Sequence, residues 1–223
     1  MEPAAAAYLF LLGLAAGVSL LTLTAYRHVS PAWWRWLLFA AGLFVMTRYV
    51  TMALFTTPEA PQRFGALRPC WYATSLGLPL ASVVALDQLI RHPAMTPKRL
   101  LTWFSPFLAA YGAVIVFGQA VIVPDDRVIG WTLHLEPAWR AALSLTHTIF
   151  ILGFIGLCVL TSLKLPSRPI RTALALLVLG QAFLGFDGLT LALGQWYFRP
   201  YLFSELVMLL ALWHAYETSG SLS

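Results

Sequence analysis

Long apolar runs broken by short polar punctuation organise this chain. Seven runs stand out, at about 8–26, 33–55, 69–90, 101–123, 138–163, 170–193 and 200–217. Each is long enough to cross about 30 Å of hydrocarbon as a helix rising 1.5 Å per residue. Proline, glycine and charge mark the breaks: His28 to Pro31, Thr57 to Pro69, Arg91 to Arg99, Pro124 to Pro137, Lys164 to Pro169, and Gln195 to Pro200. The pattern predicts an all-α membrane protein, a single seven-transmembrane-helix bundle over residues 1–223. Its short loops make sequential helices antiparallel neighbours.

Composition supports this reading. The chain is 60% hydrophobic and only 10% charged, whereas a soluble domain carries about 25% charged residues. A soluble fold of this make-up could not cover its surface with polar groups, so the lipid bilayer is the expected partner. The net charge of +5 does not signal nucleic acid. Its basic residues form no stripe on one soluble face; they sit between apolar runs, where they act as topology signals.

Those signals give a direction. Alternate connections hold Arg27, Arg35, Arg91, Lys98, Arg99, Lys164, Arg168 and Arg171, and the opposite ones hold Arg63, Arg68, Arg127, Arg140 and Arg199. The positive-inside rule then places the N-terminus outside and the C-terminus in the cytoplasm. The expected location is the plasma membrane of a cell, a bacterial inner membrane. Glu2, Glu59, Asp125, Asp126 and Glu136 all fall on the outer side, and Trp33, Trp34, Trp36, Trp71, Tyr72, Trp139, Trp196 and Tyr197 cluster at span ends. The first span is expected to be retained rather than cleaved. Met1 to Ala4 carry no positive charge, and Arg27, His28 and Arg35 follow the apolar run. Cys70 and Cys158 fall at different depths, too far apart for the roughly 7 Å that a disulfide spans, and read as small hydrophobes.

An ionisable group within a span costs roughly 2.5–3.5 kcal/mol at a helix centre on insertion scales and so calls for an explanation. Four lie well inside: Arg48, His147, Asp187 and Glu205. Counted from the outer ends of their helices, all four lie about 8–10 Å deep. They are therefore predicted to share one layer in the outer half of the bundle. Thr51 falls near Arg48, Thr190 shares a helix face with Asp187, and Ser144, Tyr201, Tyr72 and Gln119 are nearby candidates. Gly180, Gly185 and Gly188 would let neighbouring helices approach. One cation against two carboxylates leaves the layer balanced only by a protonated carboxylate, a protonated His147 or a cationic ligand. The plainer alternative is an ion pair of Arg48 with Asp187 or Glu205 that holds helices together. His147 alone reads more readily as a hydrogen-bonded packing residue.

Smaller features carry less. Asp87 and Arg91 are spaced for an i,i+4 salt bridge, and His28, His92 and His214 sit at inner ends. Pro79 and Pro106 are expected to kink their helices. No His-Glu-x-x-His, Gly-x-Ser-x-Gly, phosphate-loop or zinc-ligand spacing occurs, and the seventh span has no lysine for a retinal Schiff base. No cofactor is indicated.

The layout resembles the seven-helix sensory input regions that precede bacterial membrane histidine kinases. The likeness lies in the outside N-terminus, the basic link Lys164-Leu165-Pro166-Ser167-Arg168, the turn from Gln195 to Pro200, and the exit Ala211-Leu212-Trp213-His214-Ala215. No functional residue carries over, and no kinase sequence follows within the 223 residues. The resemblance implies a receptor-like or sensory bundle whose polar pocket responds to a small ligand or a proton. Output would pass to a separate membrane or cytoplasmic protein through the basic inner loops. A small proton-coupled transporter and a non-catalytic subunit of a larger membrane complex are the alternatives. A helix broken at Gly185-Phe186-Asp187-Gly188 would favour transport.

Overall fold

The computed structural model describes residues 3–56, 65–92, 96–124, 130–192 and 201–221. Its helices are α1 (Pro3–Ala25), α2 (Ala32–Leu54), α3 (Arg68–Trp71), α4 (Thr74–Ile90), α5 (Pro97–Phe117), α6 (Pro137–Lys164), α7 (Arg168–Ala192) and α8 (Leu202–Ser221), with a 3-10 turn at Tyr26–His28. Between α5 and α6 lies a hairpin of two antiparallel strands, β1 (Ala120–Pro124) and β2 (Trp131–Leu135). Six stretches among the described residues are long and apolar enough to cross a membrane: Ala5–His28, Ala32–Leu54, Gly65–Ile90, Lys98–Phe117, Pro137–Lys164 and Arg168–Thr190. This is the make-up of a multi-pass helical membrane protein.

The helix outside that set is α8, and its position explains why. Twelve of its 20 residues are buried, and it packs against α7, α1 and α4. Protein covers most of it, leaving Phe203 and Leu210 exposed, and Ser204, Glu205, Thr218 and Ser219 sit buried on its covered side where lipid would have excluded them. The second interior helix is α4, with 13 of 17 residues buried. The outer helices contrast with these two. In α6 only 17% of the most apolar window is buried, and Leu145, Ile149, Leu152, Leu160 and Leu163 are exposed for lipid to cover. Close approach within the bundle depends on small residues. A Cβ on Gly180 of α7 would stand 3.0 Å from the Met208 Cα of α8, and one on Gly77 of α4 would strike Val45 of α2.

Two boundaries differ from the sequence prediction. The fourth span ends at Phe117 rather than at residue 123, because Gly118 turns the chain into β1. Val121, Ile122 and Val123 are β-branched and suit a strand, and the run is apolar enough to pass for helix. The third span is interrupted at Tyr72 and Ala73, between α3 and α4. The sixth span, α7, runs unbroken through Gly185 to Gly188, so the break that would have favoured transport does not occur.

The hairpin is tied down at several points. The Trp131 N–H donates to the Phe55 carbonyl (2.8 Å), and the Tyr72 hydroxyl donates to the Leu133 carbonyl (3.1 Å). Gly130 has φ +95°, and a Cβ there would meet the Phe55 carbonyl and stand 2.7 Å from the Thr56 Cα. Only glycine fits that approach. Arg68 donates from both terminal nitrogens to the carbonyls of Gly118 and Ile115, closing the C-terminal end of α5 where carbonyls lack helical partners.

Both in-helix prolines free a carbonyl four residues earlier, and each carbonyl is taken up. The Ser105 hydroxyl donates to Thr102, whose partner Pro106 would have been (2.8 Å). Ser75, freed by Pro79, is met by His147 from α6. At the opposite end of the bundle, Gln88 bonds the Ser30 carbonyl and amide (2.8 and 3.1 Å). The expected Asp87–Arg91 salt bridge is absent. Arg91 caps α4 with φ +47°, which takes its side chain off the helix face, and it reaches the Ser219 carbonyl of α8 (3.4 Å). Both cysteines are free thiols, Cys158 buried and Cys70 half-buried.

Candidate ligand cavity

The end of the bundle that carries the hairpin encloses a cavity of about 220 Å³. Its wall draws on seven elements: Arg48 and Met52 from α2, Trp71 from α3, Thr74 to Pro79 from α4, Thr132 to Leu135 from β2, Arg140 to Ile151 from α6, Gln181 to Gly188 from α7, and Glu205 from α8. Not every residue in these ranges touches the space, but every one of the seven elements does.

Arg48 and Glu205 form the core of the site. The Arg48 Nε lies 2.9 Å from one Glu205 carboxylate oxygen and 3.1 Å from the other. Arg48 is 7% exposed and Glu205 2%. The pair is held from both sides. Arg48 Nη1 donates to the Trp71 carbonyl at the end of α3, and the Thr74 hydroxyl donates to Glu205 Oε1 (2.8 Å). The interruption between α3 and α4 brings both groups within reach. The guanidinium also lies 5.9 Å from the centre of the Trp71 ring, a cation–π distance. The buried Tyr49 hydroxyl lies within electrostatic range of the same carboxylate and makes no hydrogen bond of ordinary geometry with a described residue. A buried ion pair adds little net stability against an apolar replacement, yet losing one partner alone is severe.

Asp187 is engaged elsewhere. Its Oδ2 accepts from the Tyr201 amide (3.0 Å) and from the Ser204 hydroxyl, so it closes the N-terminal end of α8 from the neighbouring helix. It does not line the cavity, and the second negative charge of the predicted layer is met by the Tyr201 amide and the Ser204 hydroxyl rather than by Arg48. The predicted layer therefore divides into an Arg48–Glu205 pair and an Asp187 cap, adjacent along the first turn of α8.

His147 lines the cavity and joins α6 to α4. Its Nδ1 lies 2.8 Å from the Leu143 carbonyl and its Nε2 3.0 Å from the Ser75 carbonyl. A neutral imidazole has one N–H and so donates to only one of them; the doubly protonated ring donates to both. Thr51 and Thr190 bond back to their own helices, at Thr47 (2.7 Å) and Asp187 (3.0 Å), and neither lines the cavity. Of the six predicted site residues, Arg48, His147 and Glu205 meet there. Ser144, Tyr72 and Tyr201 join them, while Gln119 does not.

The sequence reading overlooked Thr74, Gln181 and the hairpin. Gln181, 2% exposed, donates to the Ser82 hydroxyl (3.0 Å) and lines the cavity. Its spacing from Leu184 and Gly188 on α7 was the available signal. The Thr74 and Trp71 contacts arise from the interruption of the third span, which an uninterrupted helix hides. Among the described residues no three His, Cys, Asp or Glu side chains gather as a metal site would require. In comparisons with protein-family models, characterised proteins and solved structures, nothing matches this chain.

Proposed function

We propose that this protein is a sensory or receptor-like membrane protein whose hairpin-end cavity binds a small ligand. The observation that supports it most is the placement of a buried Arg48–Glu205 pair in the wall of a cavity shared by seven elements. A ligand there would touch α2, α3, α4, α6, α7, α8 and β2 at once, and so could bias their packing. His147 adds a proton-responsive joint between α6 and α4. The continuous α7 gives no support to a transport reading based on a broken helix.

The proposal includes a direction. The hairpin end faces the outside, the C-terminus lies in the cytoplasm, and the membrane is a bacterial inner membrane, following the bias of basic residues toward the opposite loops. A membrane or cytoplasmic partner would read the state of the bundle through Arg27, Arg35, Arg91, Lys98, Arg99, Lys164, Arg168 and Arg171. A thermal-shift screen of small metabolites on detergent-purified protein tests the ligand claim. The expected result is a compound that raises the Tm of the wild type but not of Gly185→Trp, which fills the cavity. A compound that stabilises both equally, or flux of it into sealed proteoliposomes, counts against the receptor reading.

A further inference from the structure

The charges that line the cavity point to the class of ligand. Glu205 is the one carboxylate among the described lining residues, and Arg48 already neutralises it. Arg140, in the first turns of α6, also lines the cavity, is exposed, and forms no ion pair with a described residue. Four residues earlier, the Glu136 backbone carbonyl accepts the Arg140 N–H (3.0 Å), and the Glu136 carboxylate does not line the cavity. The described wall therefore carries one positive charge more than negative. The Tyr72 ring at the same wall lies within electrostatic range of Arg48, Arg68 and Arg140. Arg68 is spent on the end of α5.

Arg48 supplies an independent observation. Its Nε and Nη1 are engaged, but Nη2 makes no hydrogen bond with a described residue, although the side chain is only 8% exposed. A guanidinium has five N–H donors, and the unbonded Nη2 of this cavity-lining residue is available to an acceptor. The remainder of the wall is largely apolar, with Leu78, Leu133, Leu143, Phe150, Ile151 and Leu184. At about 220 Å³ the space lies below the roughly 300–1,000 Å³ of drug-sized sites.

We infer that the cavity takes a small monocarboxylate with an apolar body, its carboxylate drawn to Arg140 and the free edge of Arg48. This inference rests on the ligand-cavity reading above. The single uncompensated charge favours a monoanion over a dianion, and the apolar wall favours a hydrocarbon or aromatic skeleton over a sugar. A cation would meet no free carboxylate among the described residues.

Three probes of matched shape test it: phenylacetate, 2-phenylethanol and 2-phenylethylamine, titrated into the purified full chain by calorimetry. The expected order is carboxylate well ahead of alcohol, with the amine weakest. Arg140→Gln is expected to weaken phenylacetate at least about tenfold, the scale of one charge-assisted hydrogen bond, and to leave 2-phenylethanol unchanged. Arg140 is exposed, so this variant should fold. Equal binding of all three, preference for the amine, or a carboxylate preference untouched by Arg140→Gln overturns the inference and leaves the cavity reading standing. No binding by any of the three overturns the inference as well. The cavity reading itself is judged separately, by whether Gly185→Trp abolishes the stabilisation found in the metabolite screen.

Discussion

Arg48 shows most clearly how one residue's chemistry shapes this protein. A guanidinium in a helix facing hydrocarbon would be strongly disfavoured, and here it is surrounded by a carboxylate, a carbonyl and an aromatic ring contributed by α8 and α3. Its presence in the second span singled it out from sequence alone, and of the layer of four ionisable groups Arg48, His147 and Glu205 line one cavity. The choice between Asp187 and Glu205 as its partner was not legible, because both lie near the same depth and differ only in which face of their helices they occupy. The structure resolves it through Tyr201 and Ser204, which occupy Asp187. The pairing predicts a particular mutational signature. Arg48→Met alone should lower stability by about 3–5 kcal/mol, since it strands the Glu205 carboxylate. Adding Glu205→Met should recover most of that loss, because a well-packed apolar pair replaces a buried ionic one at little cost. Unfolding in mixed micelles followed by circular dichroism measures both. A double variant no more stable than the single one would show that the pair acts otherwise than as an isolated ion pair.

At the scale of elements, hydropathy revealed helices and concealed their neighbours. The six stretches apolar enough to cross a membrane were plain, and the seventh helix was marked despite its weaker apolar character. That weakness is physical: α8 is enclosed by α1, α4 and α7 and can carry buried polar groups. The hairpin was missed because β1 continues the apolar run of α5, and hydropathy does not separate a strand from a helix over so few residues. Prolines were read as kinks, but their consequence here is a freed carbonyl that another group takes. The His147–Ser75 contact lets α6 hold α4 at the point where Pro79 removes a helical hydrogen bond. His147→Ala should therefore destabilise the wild type by about 1–3 kcal/mol, the penalty of an unpaired buried carbonyl. In a Pro79→Ala background the restored amide takes the Ser75 carbonyl, and the same change should cost about 1 kcal/mol less. A double-mutant cycle on Tm and unfolding free energy measures the coupling, and additivity of the two changes would mean that His147 does not serve this carbonyl.

For the whole molecule, the arrangement is two interior helices, α4 and α8, within a ring of lipid-facing ones, with a polar-centred cavity at the end closed by the hairpin. On the function proposed above, the positive-inside pattern would give that arrangement a direction across the membrane, with ligand entering the cavity from outside and its readout within. The most direct measurement is labelling of a cavity cysteine from each side. Gly188 suits it, since a Cβ there would make only ordinary contact, 3.5 Å from the Tyr201 hydroxyl. In a Cys70→Ser, Cys158→Ala background, Gly188→Cys should react with a membrane-impermeant thiol reagent in intact cells and be shielded in inside-out vesicles. Reaction only in inside-out vesicles, or in neither preparation, would contradict an outward-facing ligand cavity.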